Sequence, residues 1–431
     1  MLIFSNNISS RLKYTCHVFF KYLCKTDYQI TSDEDVFINY IGAKVNYSIN
    51  KELPGIQIYP SGLLFERGIK EQEIAIDVWN GVPVFYTTRE DTLIPFDVFA
   101  ASFYLLVRYE EYLPFIGDNH GRFMAESSIA FQHGFLQYPV VDKWAMKFKT
   151  EIIRLYPNYQ FEERKFKFLA TIDVDSAFAY KNKGLVRMVG GFLKDVIAFN
   201  FGNFKNRLLT VLGKNSDPYD TYAMLNKLHA DHEIDCIFFF LLADYGVNDK
   251  NLPHTSMPFQ ELIRSVADYN EIGIHPGYQS NFEPEAVEKE RKRLSEIAKR
   301  PITRSRQHYL MLRFPDTFAH LVENEIIHDY TMGYADYPGF RAGTCSEYPF
   351  YNLQNETLTK LIIHPFTVMD ATLNKYRNES PEQAIKSIKV LMDEVREVDG
   401  TFISLWHNES LSEKWHWKGW RKVYEEMLKM V

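Results

Sequence analysis

The chain has 431 residues, of which 46% are hydrophobic, 24% charged and 15% aromatic, and a formal net charge of −7. That composition excludes a disordered or low-complexity protein and predicts one or two domains, each with its own core. The acidic balance gives no nucleic-acid footprint, and the four cysteines (Cys16, Cys24, Cys236 and Cys345) show neither CxxC spacing nor a disulfide framework.

The apolar run at the N-terminus is broken by Asn6, Asn7, Arg11 and Lys13, so it lacks the continuous apolar core of a secretory signal. Short strands mixed with turns are expected at 55–59, 74–78 and 82–86. A helix is expected from Phe96 to Leu113, where Phe96, Phe99, Ala100, Phe103, Leu106 and Val107 recur at helical spacing. A second helix fits 140–155. After residue 165 the pattern changes to strand, helix, strand, helix. Strand candidates are 166–172, 236–242, 272–274, 361–363 and 401–405, and helices are expected at 221–231, 260–269, 284–299 and 381–398. Parallel strands need crossover connections, so this alternation predicts a parallel sheet, most simply a β/α barrel. The longest apolar run here, Ile237 to Ala243, is too short to cross a membrane. The expectation is an α/β protein with a mixed α+β N-terminal domain (1–164) and a β/α domain (165–431), cytoplasmic and without a membrane span. No heptad seam indicates an oligomeric state.

In a β/α barrel the chemistry sits where strands end and loops converge. The first strand of the second domain runs into Asp173-Val174-Asp175, two carboxylates on one face of an extended segment. The strand at 272–274 ends at His275, Arg306 and His308 lie two apart, and the last strand ends at Trp406-His407. Carboxylate with imidazole is a ligand set for Zn²⁺ or a similar divalent cation. A carboxylate left free by the metal can act as general base and another imidazole as general acid. Each residue also has a plainer reading. A strand-end Asp often caps the next helix, His275 precedes a Pro-Gly turn, Arg306 could pair with a surface acid, and His407 could be a hydrogen-bonded core residue. Four such residues ending strands of one alternating domain weigh more than any of them alone.

Residues 165–431 resemble the polysaccharide deacetylase superfamily, the NodB-homology domain of carbohydrate esterase family 4. Its Thr-Phe-Asp-Asp-Gly motif is matched by Thr171-Ile172-Asp173-Val174-Asp175, with one inserted residue. The resemblance implies a distorted (β/α) barrel, Asp173 as base and Asp175 as metal ligand. His275 fills the first place of the His-x-x-x-His metal motif, but Gln279 stands in the second, which leaves His308 to complete the set. Arg306 matches the arginine that orients the base, and Leu405-Trp406-His407 matches the segment carrying the acid, His407. The groove-lining motif is loosely matched by 334–341, so Tyr337 and Arg341, with Trp406, are the implied substrate contacts. Trp406 also belongs to a cluster with Trp415, Trp417 and Trp420, for which packing is the commoner role. The implied activity is metal-dependent removal of N-acetyl or related acyl groups from a carbohydrate, with Zn²⁺ as the expected ion. The alternatives are a related amide or glycosidic hydrolase using Asp173 and Asp175 as acid and base, and a non-catalytic glycan- or partner-binding barrel with a degraded metal site.

Residues 1–164 resemble an accessory domain of uncharacterised function that accompanies this branch, through Phe96-Asp97, the stretch 104–112 and Asp118-Asn119-His120-Gly121-Arg122-Phe123. The charges at Arg108, Glu110, Glu111, Asp118, His120 and Arg122 read by default as a solvated, salt-bridged face. The sharper expectation is that this patch docks on the barrel mouth.

Overall fold

The computed structural model describes residues 1–88 and 92–431. The N-terminal region holds a small parallel sheet of β1 (Leu2–Phe4), β2 (Gln29–Thr31), β3 (Lys44–Asn46) and β4 (Ile56–Gln57), in the order β2-β1-β3-β4. An antiparallel pair follows, β5 (Asp77–Trp79) and β6 (Val82–Val84). The helix Ser10–Cys16 continues into a π-helical stretch, His17–Leu23, whose Phe19 and Phe20 meet Phe99 and Phe148 edge-on at 5.3–5.7 Å. Tilted and edge-on rings of this kind fill the core that the aromatic-rich composition predicted.

The helix expected over 96–113 ends early. It spans Val98–Leu106, capped by Asp97, whose carboxylate accepts from the Ala100 N–H at 3.0 Å. Arg108 then takes a left-handed conformation (φ 56) and starts a 3₁₀ turn, Tyr109–Tyr112. The guanidinium is fully buried between Glu110 and Glu111, at 2.7 Å from each, so tertiary pairing overrides helical periodicity here. The helix expected over 140–155 forms at Val140–Leu155 and buries Val141, Trp144, Ala145, Phe148 and Ile152 along one stripe.

The second region is built on nine strands: β7 (Lys167–Val174), β8 (Cys236–Phe240), β9 (Glu271–Ile274), β10 (Arg304–Ser305), β11 (His328–Asp329), β12 (Tyr348–Asn352), β13 (Thr357–Ile363), β14 (Val368–Met369) and β15 (Thr401–His407). Their order is β12-β13-β11-β10-β9-β8-β7-β15-β14, and every neighbouring pair except β12–β13 is parallel. Helices at Tyr222–Asp231, Met257–Ala267, Glu285–Ala298, Asp316–Glu323 and Pro381–Glu397 make crossovers between successive strands.

The pairing does not close into the expected barrel: among the described residues β12 and β14 are the two edges. The sheet is nonetheless strongly curled. β13 and β14 lie seven strand spacings apart, roughly 34 Å in a flat sheet at about 4.8 Å each. Yet Ile363 and Val368 are five residues apart in the chain, a reach of roughly 17 Å. The link 364–367 can span that gap only if the edges curve toward each other. It bonds on the way, from the Phe366 N–H to the Met332 carbonyl (3.1 Å) and from the Thr367 N–H to the Ile403 carbonyl (2.9 Å).

The N-terminal region covers the β12 edge. The Tyr14 hydroxyl donates to the Pro349 carbonyl at 3.2 Å, and its ring lies 4.7 Å from that of Tyr351. Arg11 Nε meets the Glu356 carboxylate at 3.0 Å. Buried Asp142 accepts from Thr344 Oγ1 (2.6 Å) and the Cys345 N–H (3.1 Å). A covered edge cannot recruit a stray strand. The main hydrophobic core runs without interruption from Met1 to Leu428, through both regions. Among the described residues no helix is long and apolar enough to cross a membrane.

Candidate functional site

The parallel register builds the site row by row. His407 of β15 lies directly opposite Asp173 of β7, which lies opposite Phe239 of β8, which lies opposite Gly273 of β9. Gly273 matters because a Cβ there would come within 2.6 Å of the Phe239 ring. The ring therefore lies flush with the sheet, and the Arg306 guanidinium rests 4.7 Å above its centre. Arg306 is fully buried. Its Nη1 donates to Asp173 Oδ1 (2.9 Å) and Thr171 Oγ1 (2.7 Å), and its Nε to the Tyr330 carbonyl (2.9 Å). Asp173 is thereby fixed by a charge-assisted bond with one oxygen left toward the cavity.

Three imidazoles surround Asp175. His275 Nε2 is 3.3 Å from Asp175 Oδ1, while His308 Nε2 and His407 Nε2 are 3.5 and 3.9 Å from Oδ2. In each ring the other nitrogen faces an oxygen: the Arg306 carbonyl at 2.6 Å for His275, Asp249 at 2.8 Å for His308, and Asp370 at 2.8 Å for His407. An acceptor beside Nδ1 makes that nitrogen the donor, which leaves each Nε2 to hold either a proton or a cation toward the Asp175 carboxylate. Asp175 Oδ1 is buried and has no hydrogen-bond partner. Unprotonated, the Nε2 atoms of His275 and His308 could share a cation with that unsatisfied oxygen. Single ligand atoms of Asp175, His275 and His308 all lie within 4.8 Å of one another, and this donor set fits Zn²⁺ or a similar divalent ion.

The charges behave accordingly. Burial alone would raise the Asp175 carboxyl, but the positive charge of His308 and hydrogen bonds from His275 and His308, with His407 beyond, hold it well below the usual carboxylate range. Burial alone would lower His308, yet Asp175 and Asp249 raise it to about 9. Burial opposes the charge on His407 too, and Asp370, then Asp175 and Asp173, raise it to about 10.

These groups line a cavity of about 400 Å³ that also exposes Arg122, Lys250, Tyr309, Lys375 and Tyr376. Arg122 comes from the N-terminal region. It is held by Asp118 (Nε to Oδ2, 2.8 Å) and donates to the Tyr309 carbonyl (2.6 Å) and the Tyr376 hydroxyl (3.2 Å). His120 lies beside it, its Nδ1 3.3 Å from the Tyr278 hydroxyl. The charged patch of the N-terminal region is therefore not a solvated face. Arg122 lines the cavity, His120 packs against Tyr278 and Tyr309, and Arg108, Glu110 and Glu111 are buried.

The structure brings together Asp173, Asp175, His275, Arg306, His308 and His407. Arg306 lies buried behind Asp173 while the other five line the cavity, and Trp406, Tyr337 and Arg341 do not reach it. Trp406 points to the opposite face of β15 from His407, buried against Tyr424 (4.9 Å between ring centres) and Trp420. Arg341 is buried and pairs with Glu111, Nε to Oε1 at 2.9 Å. Tyr337 packs edge-on against Phe131 and carries the Arg377 guanidinium over its ring. Gln279 is exposed and donates to Glu283 at 2.9 Å, turned away from Asp175. The sequence reading missed Asp249 and Asp370. Asp370 follows a strand only two residues long, too short for the alternation that marks strand ends, and Asp249 sits in a polar loop without any periodic signal.

Residues 1–157 match the profile of a family of unknown function, DUF7033. No curated protein matches the chain. Among solved structures, a Mycobacterium smegmatis protein assigned to the polysaccharide deacetylases is 15% identical (TM-score 0.39), the match covering 62% of this chain and 86% of that one. The allantoinase Puue is 11% identical (TM-score 0.37), with 62% and 83% covered. BA3943, a carbohydrate esterase family 4 pseudoenzyme from Bacillus anthracis, is 10% identical (TM-score 0.30), with 62% and 63% covered.

Proposed function

We propose that this chain is a metal-dependent hydrolase that removes N-acetyl or related acyl groups from a carbohydrate. The observation that carries the reading is the division of labour around Asp175. Two imidazoles complete a cation site with it, a third stands opposite on its own carboxylate, and Asp173 remains free for proton transfer. The motif resemblance of 165–431 points the same way, and the curl of the nine-stranded sheet supports reading it as an incompletely closed (β/α) barrel. The region before residue 165 is read as an accessory domain that adds Arg122 to the cavity wall.

Asp175, His275 and His308 would hold the ion, which when bound supplies Lewis-acid polarisation of a carbonyl oxygen and of water. Asp173, held in place by Arg306, accepts the proton of the attacking water. His407 is held as imidazolium by Asp370 and donates its Nε2 proton to the departing amine, a poor leaving group until protonated. The engagement of Asp175 by imidazoles favours this scheme over a two-carboxylate glycosidase, which needs both acids for the sugar. Arg122 and Lys375 at the mouth are paired with Asp118 and Glu409, and Lys250 beside them suits a substrate bearing negative charge.

The test is metal analysis of the purified chain together with acetate release from N-acetylated sugars. The expected result is about one divalent ion per chain, lost in Asp175→Ala, with acetate release abolished in Asp173→Asn. Metal-free wild-type protein that is indifferent to Asp175→Ala would overturn the reading.

A further inference from the structure

The helices Leu185–Ile197 and Phe201–Val211 form a hairpin inserted between Asp175 and the crossover helix Tyr222–Asp231, and the first of them is built inside out. Leu185, Val186, Val189, Leu193, Val196 and Ile197 fall within about 120° of its helical wheel, and all six are exposed, Val186 at 88% and Ile197 at 76%. The face turned inward sets Phe192, edge-on to Phe204, beside a buried carboxylate. Asp195 is 5% exposed and accepts from Arg207 Nε (2.7 Å) and Asn203 Nδ2 (2.6 Å), and the Arg207 guanidinium lies 4.6 Å over the Tyr180 ring. Phe199 in the turn is 80% exposed, and Phe201 and Leu212 extend the apolar surface. A helix that buries its carboxylate and shows its Leu, Val and Ile outward is shaped for an apolar phase on that side.

Charge says which phase. Between residues 181 and 214 the only acid is Asp195, already paired with Arg207, while the same stretch carries Lys181, Lys194, Lys205 and Lys214 in a chain of net charge −7. A second copy of the chain seated on this stripe by two-fold symmetry would bring those lysines toward their own images. An anionic lipid surface meets them with opposite charge. We propose that the hairpin docks in the plane of an anionic bilayer, with its apolar stripe at the headgroup–acyl boundary.

The hairpin is also tied to the candidate site. Arg187 donates to the carbonyls of Asn251 (2.9 Å) and Lys250 (2.7 Å), just beyond Asp249, which in turn holds His308. Lys250 and Asn248 line the cavity. Docking of the hairpin is therefore linked through Arg187 to the loop that supplies Lys250 to the cavity wall. The docking itself does not depend on the reaction proposed above.

The experiment is flotation of the full chain with vesicles of equimolar phosphatidylcholine and phosphatidylglycerol, in parallel with phosphatidylcholine alone, and light scattering to read the mass of the free chain. The chain is expected to float with the anionic vesicles, to be released by about 0.5 M sodium chloride, and to lose more than about tenfold in binding in Lys194→Glu/Lys205→Glu and in Val189→Glu/Leu193→Glu. Circular dichroism checks that the variants fold. Hydrogen exchange of the wild type reads the face without any variant, with residues 185–212 gaining protection only when anionic vesicles are present. Failure to float, flotation unchanged by both double variants, or a dimer that Val189→Glu/Leu193→Glu dissociates would each overturn the proposal, the last in favour of a second copy.

Discussion

Replacing Asp370 with Asn tests whether the acid half of the site is set by one carboxylate. His407 carries its proton up to about pH 10, against an ordinary value of 6.5. At 1.36 kcal/mol per pH unit that is a preference for imidazolium of roughly 4–5 kcal/mol, net of the burial that opposes it. Asp370 is the largest favourable contributor, bonded at 2.8 Å to both Nδ1 and the backbone N–H of His407. Asn keeps the shape and can still accept a hydrogen bond, but it removes the charge. Burial is then opposed only by Asp175 and Asp173, and His407 should titrate well below its wild-type value of about 10. The sign of the stability effect follows. A histidine raised in the folded state contributes stability that is complete below pH 6.5 and lost as pH rises through about 10. Asp370→Asn should therefore be less stable at pH 7 by on the order of 2–4 kcal/mol, with the difference disappearing above about pH 10. The assay is a histidine-selective ¹⁵N titration of metal-free protein, paired with urea unfolding at several pH values. A wild-type His407 titrating near 6.5, or one whose titration is unmoved in Asp370→Asn, would refute the reasoning.

Asp249→Asn should weaken metal binding about 10–100-fold without removing any ligand, because it takes away the carboxylate that orients His308; calorimetric Zn²⁺ titration reads this, and an unchanged affinity would remove His308 from the proposed set. Glu290 is buried where its carboxylate accepts the Gly277 N–H at 3.1 Å, and burial, with Asp249 nearby, raises it to about 8. Its raised value means stability complete below pH 4.5 and lost as pH rises through about 8, so Glu290→Gln should raise the melting temperature at pH 8–9 and leave it nearly unchanged at pH 4–5.

The sequence makes the central strands and the site residues at their ends legible, for a physical reason. β7 and β15 are long enough to show a buried run that reaches Asp173, Asp175 or His407. The two-residue strands β10, β11 and β14 leave no pattern, so Arg306 and His308 could be found only by their proximity in sequence, and Asp370 escaped. Trp406 shows the limit of a local cluster. It neighbours His407, but alternation along β15 sends the two side chains to opposite faces. The helix Leu185–Ile197 carries its apolar stripe on the exposed side, which periodicity alone does not reveal.

The link 364–367 separates two kinds of pairing in the sheet. β14 and β15 are joined by the crossover helix Pro381–Glu397, so Asp370 and His407 form their pair within one consecutive unit. β15 then pairs with β7, from the opposite end of the second region, and that pairing carries His407 to Asp173 and Asp175. The proton donor is therefore primed inside one unit of the chain and meets the other site residues only where the two ends of the region join.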